Sequence, residues 1–168
     1  MRLFVSVLCF LVAPVFAQGN YHGAEIYPPT DLAASLSKWR NMAEEGQAKA
    51  QYYLGICYEY GRGVRQDDAE AVRWYGKASA QGFPAAQYRL GVMYDYGWGV
   101  PTNDTEAVKW YSKAAQQGHP FALDDLAFMY VDGTGVEQDY VQAYMWLFVA
   151  VSNGNKLMAT LFRCFAIS

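Results

Sequence analysis

The sequence predicts an all-α protein in which about three helix–loop–helix repeats of 36 residues stack as a solenoid, with partial capping helices at the ends. Two observations support this fold class. The segments 47–82, 83–118 and 119–154 align without insertion or deletion, and apolar residues recur within each segment at helical spacing.

Ten positions are identical in all three segments, which marks each segment as one structural unit. They are Ala50, Ala86 and Ala122; Leu54, Leu90 and Leu126; Tyr58, Tyr94 and Tyr130; Gly61, Gly97 and Gly133; Gly63, Gly99 and Gly135; Val64, Val100 and Val136; Ala71, Ala107 and Ala143; Trp74, Trp110 and Trp146; Ala78, Ala114 and Ala150; and Gly82, Gly118 and Gly154.

The first helix of each repeat is marked by an apolar stripe and a glycine-rich end. In the first repeat the stripe consists of Ala50, Leu54, Cys57 and Tyr58, which share one face of a helix. A Gly-x-Gly-Val segment follows in every repeat. This segment suits a helix C-terminus, because glycine tolerates the left-handed backbone found there.

A capping-box pattern starts the second helix of every repeat. In the first repeat Asp67 is placed to accept from an unpaired amide, and Glu70 is placed to bond back. We expect a buried stripe at positions 71, 74 or 75, and 78, with the repeated tryptophans in the stacking surface. Gly82 is expected to cap the end. The equivalent caps in the other repeats are Asn103 with Glu106, Asp139 with Gln142, and Gly118 and Gly154.

Partial units flank the three repeats. Residues 31–46 align with a second helix and are expected to cap the N-terminal end of a repeat domain that spans 31–168. Residues 155–168 carry part of a first-helix stripe and are expected to form a closing helix, with the remnant of a truncated repeat as the alternative. Arg163 there occupies the position of Gly55, which suits an end with no further repeat. Residues 18–30 are rich in turn-forming residues and are expected to be a leader or linker.

The first 17 residues have the pattern of a secretory signal peptide. Arg2 supplies the positive start, an apolar run covers 3–16, and Ala17 places a small residue before a cut at Gln18. The run is too short for a membrane-spanning helix, which needs about 20 residues. A membrane anchor or a buried first helix is the alternative. We therefore expect an exported protein, periplasmic or secreted and with no membrane span after cleavage, in which 12 Lys and Arg against 16 Asp and Glu give a net charge of −4.

Charge and residue content argue against several classes of function. The full chain has a net charge of −3 and no basic run, which is untypical of nucleic-acid or anionic-membrane binding. Only His22 and His119 are available for a histidine-based metal site or triad, so neither a metal nor a cofactor is expected. Cys57 and Cys164 fall at opposite ends of the predicted stack, whereas a disulfide needs Cα atoms within about 7 Å. Both are expected to be free thiols.

One catalytic motif occurs, and its context argues against catalysis. Residues Ser35 to Lys38 match the S-x-x-K motif of penicillin-interacting enzymes, but the S-D-N and K-T-G elements that accompany it are absent. The motif also lies on the predicted N-terminal capping helix. We expect a protein that is not an enzyme. A cell-wall or β-lactam-interacting protein with weak hydrolase activity is the alternative.

The repeated pattern resembles the Sel1-like repeat. The motif A-x-x-x-L-G-x-x-Y-x-x-G-x-G-V, then A-V-x-W-Y-x-K-A and Q-G, is matched closely by 50–82 and 86–118, whereas the third repeat departs at Ala127, Leu147 and 151–153. A tetratricopeptide array has a shorter period of 34 residues. The resemblance implies a right-handed α/α superhelix that acts as a protein–protein adaptor, with exported bacterial members often linked to the envelope or to host interaction. Cysteine-rich members associated with penicillin binding carry paired cysteines in each repeat, which this chain lacks.

Residues that differ between repeats are the better functional candidates, because stacking explains those that are identical. Off the stripe, the first helices run from aromatic to acidic along the stack. If these helices line a concave surface, that face suits a protein or peptide partner with an apolar and a basic portion. Packing, a plain solvated face, and a chain that only spaces a larger assembly are the alternatives. The candidate contact residues are Tyr53, Glu59, Arg89, Asp95, Trp98 and Asp125.

Overall fold

The computed structural model describes the backbone of residues 32–154 and the side chains of residues 36–154. The chain divides into two units, residues 1–30 and 31–168, and all the described residues belong to the second. The predicted signal peptide, the leader and the closing helix, with Arg163 and Cys164, therefore lie outside the described residues.

Residues 32–154 form seven α-helices of 13 residues each and contain no strand. The first helix fills the segment expected to cap the N-terminal end, and the other six form three pairs. Each helix packs on the next, both within a pair and between pairs. The predicted all-α repeat architecture is confirmed. The helices are α1 (Leu32–Glu44), α2 (Ala48–Tyr60), α3 (Asp68–Ala80), α4 (Pro84–Tyr96), α5 (Asp104–Gln116), α6 (Pro120–Asp132) and α7 (Tyr140–Ser152).

The leucine of the first-helix stripe is buried in every repeat, as the pattern predicts. The three equivalent side chains are at most 4% exposed: Leu54, Leu90 and Leu126. The tyrosine four residues later is only half-buried in each repeat, and these residues are Tyr58, Tyr94 and Tyr130. The backbone carbonyl of each tyrosine accepts from the N–H of the residue that caps the second helix, at 2.8–3.0 Å. The leucine thus fills the core, while the tyrosine position anchors the loop between the two helices.

The second helices α3, α5 and α7 start as the capping pattern predicts, but only half of the capping box forms. The carboxylate of Asp67 accepts a hydrogen bond from the backbone N–H of Glu70 at 3.0 Å, and the side chain of Asn103 accepts from Glu106 at 3.1 Å. The Glu106 carboxylate accepts a hydrogen bond from Lys109, one turn later in the helix. Glu70 pairs with Arg73 in the same way. The N-caps thus satisfy free amides, while the glutamates form surface ion pairs.

The Gly-x-Gly-Val loops end the first helices and also join consecutive repeats. The first glycine of each loop ends its helix in the left-handed conformation, with φ of 64°, 73° and 71° at Gly61, Gly97 and Gly133. The second glycine of the middle loop, Gly99, lies against the backbone at the start of α3, in the preceding repeat. An added Cβ there would stand 2.4 Å from the carbonyl carbon of Asp68, and Gly135 makes the same approach to Asp104 of α5. The second glycine is therefore an inter-repeat contact, which the sequence pattern alone did not indicate.

The buried stripe of the second helices is not centred on the repeated tryptophans. Tyr75 and Tyr111 are fully buried, and Leu147 takes the same place in the third repeat at 6% exposure. The Nζ atom of Lys77 lies 3.8 Å from the ring centroid of Trp74, at the boundary with solvent. The tryptophans thus pack against the core, as expected, but they are not its fully buried residues, because the position one residue later is the one that points at the first helix of the pair. All three tryptophans are only half-buried: Trp74, Trp110 and Trp146.

Candidate functional site

The predicted partner face is largely engaged in packing. Tyr53 and Glu59 are only 8% and 6% exposed, which contradicts their expected place on an accessible surface. Arg89, Asp95 and Asp125 are half-buried. The reason is that each first helix is flanked by helices of its own pair and of the neighbouring pairs, so that positions off the main stripe are covered as well.

An ion pair links the first repeat to the second. The Tyr75 hydroxyl donates to Glu59 Oε2 at 2.5 Å, and Arg89 Nη1 donates to Glu59 Oε1 at 3.3 Å. The guanidinium carbon of Arg89 lies 5.8 Å from the ring centroid of Tyr60. Burial and the adjacent Glu59 carboxylate raise the pKa of Tyr75 well above its usual range. Arg89 thus neutralises a buried carboxylate of the preceding repeat and is not available as a free contact.

The second interface between repeats has a carboxylate where the first has a guanidinium. The Tyr111 hydroxyl donates to Asp95 Oδ2 at 3.1 Å, which repeats the bond between Tyr75 and Glu59. Asp125 occupies the position 36 residues after Arg89. Burial and the nearby Asp95 raise the pKa of Asp125 to about 7, against the opposing effect of a hydrogen bond with Tyr88.

The third pair of helices replaces the buried polar set entirely. In the second pair, Gly91 makes room for the Tyr111 ring, and a Cβ at residue 91 would stand 2.6 Å from it. In the third pair the positions of Gly91, Asp95 and Tyr111 hold, in that order, Ala127, Val131 and Leu147. All three are buried. The third repeat thus has neither the buried hydroxyl nor its carboxylate acceptor. These three departures from the repeat motif belong to one packing unit.

The most accessible part of the predicted face lies at the C-terminal ends of the first helices. Tyr96 and Trp98 are 62% and 45% exposed, and their rings stack with centroids 5.1 Å apart. Tyr60 and Asp132 are the equivalents of Tyr96 in the flanking repeats, and both are exposed. We call this set of four residues the first-helix row. Tyr60 and Tyr96 lie off the apolar stripe, as Tyr53 and Glu59 do, so helical spacing alone does not distinguish the exposed residues from the buried ones.

A second exposed apolar surface lies on α7 and was missed by the sequence analysis. Comparing equivalent positions of the repeats could have found it, because α3 has Asp68, Arg73 and Gly76 where α7 has aromatic and aliphatic residues. The exposed residues on α7 are Tyr140, Val141, Tyr144, Met145 and Phe148.

The cysteine and histidine that the structure describes both have structural roles. Cys57 is buried in the core, and its thiol forms no disulfide. His119 is the N-cap of α6, and burial lowers its pKa to about 4, so that the ring is neutral at neutral pH. Lys38 is exposed on α1, while the side chain of Ser35 lies outside the described residues. Within 36–154 no cluster of His, Cys, Asp and Glu is placed to hold a metal ion.

The helices are short relative to a bilayer. None of the seven between residues 32 and 154 is both long enough and apolar enough to cross a membrane.

The structure is similar to solved structures of Sel1-like repeat (SLR) proteins. A protective antigen of uropathogenic Escherichia coli strains that displays an SLR fold matches with a TM-score of 0.73 and 43% identity, over 76% of this chain and 27% of that chain. A Sel1 repeat protein from Oxalobacter formigenes matches with a TM-score of 0.71 and 36% identity, over 77% of this chain and 97% of that chain. Cysteine rich protein B of Helicobacter pylori shares the fold, with a TM-score of 0.62 and 18% identity, over 78% of this chain and 94% of that chain.

A shorter match occurs to mammalian proteins. DAP3-binding cell death enhancer 1 of Rattus norvegicus is 40% identical over 53 residues, which is 32% of this chain. The Mus musculus protein of the same name is 38% identical over the same length. The matched segment is about a tenth of the length of these relatives. It is also shorter than two repeats of this chain.

The repeats themselves match a family model. Residues 48–83, 84–119 and 120–155 each match the Sel1 repeat, one residue later than the boundaries set by the identical positions. Three consecutive matches cover more than half of the sequence. This chain belongs to the Sel1 repeat family.

Proposed function

We propose that this protein is an exported, non-catalytic scaffold that binds a protein or peptide partner along the first-helix row. Sel1 repeat proteins generally mediate protein–protein interaction. The observation that carries the proposal here is the exposed stack of Tyr96 on Trp98. Two large aromatic rings held against each other at a solvent-facing loop offer a rigid apolar contact surface.

Exposure of these two rings has a free-energy cost that a partner can relieve. A half-exposed tryptophan and tyrosine leave apolar area in water, at roughly 25 cal/mol per Å², and a partner that covers them recovers that energy. Aromatic residues lose little side-chain freedom on binding, and tryptophan and tyrosine are enriched among the residues that dominate interface energetics. The equivalent loop position holds Arg62 in the first repeat and Thr134 in the third, so stacking of repeats does not require Trp98.

The absence of catalysis is part of the proposal. The acidic residues that recur at the helix starts serve as N-caps, as shown by Asp67 and Asp139. Glu59 and Asp95 accept from buried tyrosines. The Sel1 repeat family is typically a non-catalytic scaffold. These roles leave the repeated acids explained by folding and packing.

Export is supported by the pattern of residues 1–17 and by the sources of similar structures. One of these is a protective antigen of uropathogenic Escherichia coli, and another comes from Helicobacter pylori. The test is mass spectrometry of the protein recovered from periplasmic and culture fractions. A mature N-terminus at Gln18 is expected. An intact Met1 N-terminus in protein confined to the cell interior would overturn export.

Partner binding is tested by affinity capture from envelope and secreted fractions. The variant Tyr96→Ala/Trp98→Ala removes the exposed stack, and Tyr140→Ala removes an equally exposed ring from α7 as a matched control. We expect a partner that is retained by the wild type and the control and lost by the double variant, with unchanged circular dichroism in all three. Equal capture by all three would place the site elsewhere, and a chain with no partner in any fraction would contradict the scaffold function.

A further inference from the structure

The first interface between repeats shows how this fold holds a guanidinium. Arg89 from α4 pairs with Glu59 at the end of α2 and lies near the ring of Tyr60. Tyr75 donates to the same carboxylate, and its ring lies 5.9 Å from that of Tyr52. One carboxylate and three tyrosines from the preceding repeat therefore surround one cation.

We call Glu59, Tyr52, Tyr60 and Tyr75 the first frame. The interface between the second and third repeats has an equivalent set of residues, the second frame, but it lacks the arginine. Tyr111 donates to Asp95 at 3.1 Å, and the rings of Tyr111 and Tyr88 are 5.7 Å apart, close to the spacing in the first frame. Tyr96 stands where the first frame has Tyr60. The position of the arginine is taken by Asp125, which lies close enough to the hydroxyl of Tyr88 for that group to lower its pKa. The acceptor and the aromatic walls are thus present, with a second carboxylate in place of the guanidinium.

The cations on the helices packed here are engaged elsewhere. On α4, Arg89 is paired with Glu59. On α5, Lys109 is paired with its neighbour Glu106, and Lys113 lies 4.0 Å over the ring of Trp110. Helix α6 contains no Lys or Arg at all. On these three helices, which the structure describes in full, no cation is therefore paired with either carboxylate of the second frame.

The distribution of charge along the stack favours the same kind of ligand. Residues 47–82 contain five Lys and Arg against four Asp and Glu, and residues 83–118 contain three of each. Residues 119–154 contain five Asp and Glu and no Lys or Arg. Such a potential attracts and orients a cationic segment at the end of the stack where the second frame lies.

We propose that Asp95 and Asp125, with the walls of Tyr88, Tyr96 and Tyr111, bind an arginine side chain presented by the partner, in the way that the first frame binds Arg89. This inference rests on the proposed scaffold function and names the chemistry of the contact. Arginine is favoured over lysine, because a planar guanidinium can bond two carboxylates at once and stack on an aromatic ring. Asp95 and Asp125 are each half-buried, and Tyr96 beside them is exposed.

The proposal implies that binding is coupled to pH. The titratable groups that face Asp125 are Asp95 and the three tyrosines, and the nearby His119 is neutral because its pKa is lowered to about 4. With a pKa of about 7, Asp125 is only partly ionised at neutral pH. A guanidinium favours the ionised form, so its affinity should rise from pH 6 to pH 8 with release of a proton.

The test uses an acetylated, amidated Gly-Gly-Arg-Gly-Gly peptide and the matched peptide with neutral citrulline. Binding to the purified chain is followed by NMR on the indole N–H of Trp98 at pH 6 and pH 8. We expect the arginine peptide to bind more tightly at pH 8, and to bind at least about tenfold more tightly than the citrulline peptide. Equal binding of the two peptides would overturn the proposal.

Two variants separate the site from a merely structural role. Asp125→Asn should lose binding at least about tenfold, whereas Glu137→Gln, which removes an exposed carboxylate of the same repeat, should retain it. Asp125→Arg restores the pairing of the first frame within the chain, and should raise the melting temperature while abolishing peptide binding. Wild-type affinity in Asp125→Asn, or peptide binding retained by Asp125→Arg, would contradict the site.

The outcomes also distinguish this site from the scaffold function. If partner capture depends on Tyr96 and Trp98 but no variant at Asp125 changes peptide binding, the scaffold stands and the arginine site is wrong. If the arginine peptide binds as described but no protein partner is captured, the site stands and the scaffold function is wrong.

Discussion

A Cβ atom on Gly91 would stand 2.6 Å from the ring of Tyr111, so the lack of a side chain at residue 91 is what lets α4 and α5 pack at their observed distance. Gly55 and Tyr75 repeat this relationship in the first pair, at 2.5 Å. The third pair has alanine and leucine at these two positions. Glycine on the first helix therefore occurs together with tyrosine on the second, and alanine occurs together with the smaller leucine.

This relationship predicts non-additive effects of substitution. Gly91→Ala should lower the free energy of unfolding by up to about 2 kcal/mol, because overpacking costs about 1–3 kcal/mol and the better helix propensity of alanine offsets about 1 kcal/mol. In Gly91→Ala/Tyr111→Leu the clash is absent, as in the third pair. Urea titration should show the double variant to be at least about 0.5 kcal/mol more stable than the sum of the single effects predicts. Strictly additive values would mean that the two residues are not coupled.

The sequence predicted the repeats well, because stacking imposes the same requirement on each of them. The stripe leucines are buried throughout, as Leu90 and Leu126 show. The capping residues and the left-handed glycines also lie where the pattern placed them, at Asp67, Asn103 and Asp139 and at Gly61, Gly97 and Gly133. A cap forms between residues that are close in sequence, so the identity of those residues is enough to predict where it forms.

The candidate face was predicted less well, because helical spacing identifies one stripe and not how many sides of a helix are covered. Tyr53 and Glu59 lie off the stripe but are buried by neighbouring helices. The pairing of Arg89 with Glu59 joins residues 30 apart in sequence, and no local pattern indicates it. Comparison of equivalent positions is more informative than helical spacing. It shows that Asp125 replaces Arg89, and that Trp98 replaces Arg62, from one repeat to the next.

Loss of the inter-repeat ion pair should be costly. Arg89→Met leaves the carboxylate of Glu59 buried without its cation, and removal of one partner of a buried pair typically costs about 3–5 kcal/mol. We expect a loss of about 2–4 kcal/mol in denaturant titration, since the Tyr75 hydroxyl still donates to Glu59. The control is Lys109→Met, which breaks an exposed pair worth about 1 kcal/mol or less. Similar losses in both variants would show that burial of the first pair is unimportant.

The second loop glycine should be more sensitive than a helix-end glycine. Gly99 and Gly82 both have positive φ, of 70° and 82°, so alanine at either position carries a backbone strain of about 1 kcal/mol or more. Only at Gly99 would the new Cβ also meet the backbone of Asp68, at 2.4 Å, and backbone atoms cannot move aside cheaply. Gly99→Ala should therefore lower the melting temperature clearly more than Gly82→Ala. Equal melting temperatures would contradict the close approach between repeats.

The tyrosine of the second helix should matter more than the tryptophan beside it. Tyr111→Ala empties a fully buried site and leaves Asp95 without its donor, so a loss of about 3–5 kcal/mol is expected. Trp110 is half-buried, and its indole N–H has no hydrogen-bond partner among the described residues. Trp110→Ala should therefore cost about 1–3 kcal/mol. A larger loss for Trp110→Ala in calorimetric melting would restore tryptophan as the centre of the stripe.

Asp125 should make stability depend on pH in an unusual direction. Its pKa in the folded chain is raised to about 7 from an ordinary value of 3.8, so the folded state holds a proton that the unfolded state has released between about pH 4 and pH 7. Its contribution to stability is therefore fully present below about pH 4, is lost as the pH rises from about 4 to about 7, and does not change above that. Asp125→Asn keeps the shape without the charge. The stability advantage of this variant over the wild type should grow by at least about 1 kcal/mol between pH 5 and pH 7, since one unit of pKa shift corresponds to about 1.4 kcal/mol, and should then stay constant to pH 8.

The comparison has to be made between variants, because other groups titrate in the same range. His119, with its pKa lowered to about 4, contributes stability that grows as pH rises from about 4 to 6.5, which opposes the effect of Asp125. Subtracting the pH profile of Asp125→Asn from that of the wild type cancels this contribution. A difference between wild type and Asp125→Asn that does not vary from pH 5 to pH 8 would show that Asp125 keeps its ordinary acidity, and that it is not a buried carboxylate facing Asp95.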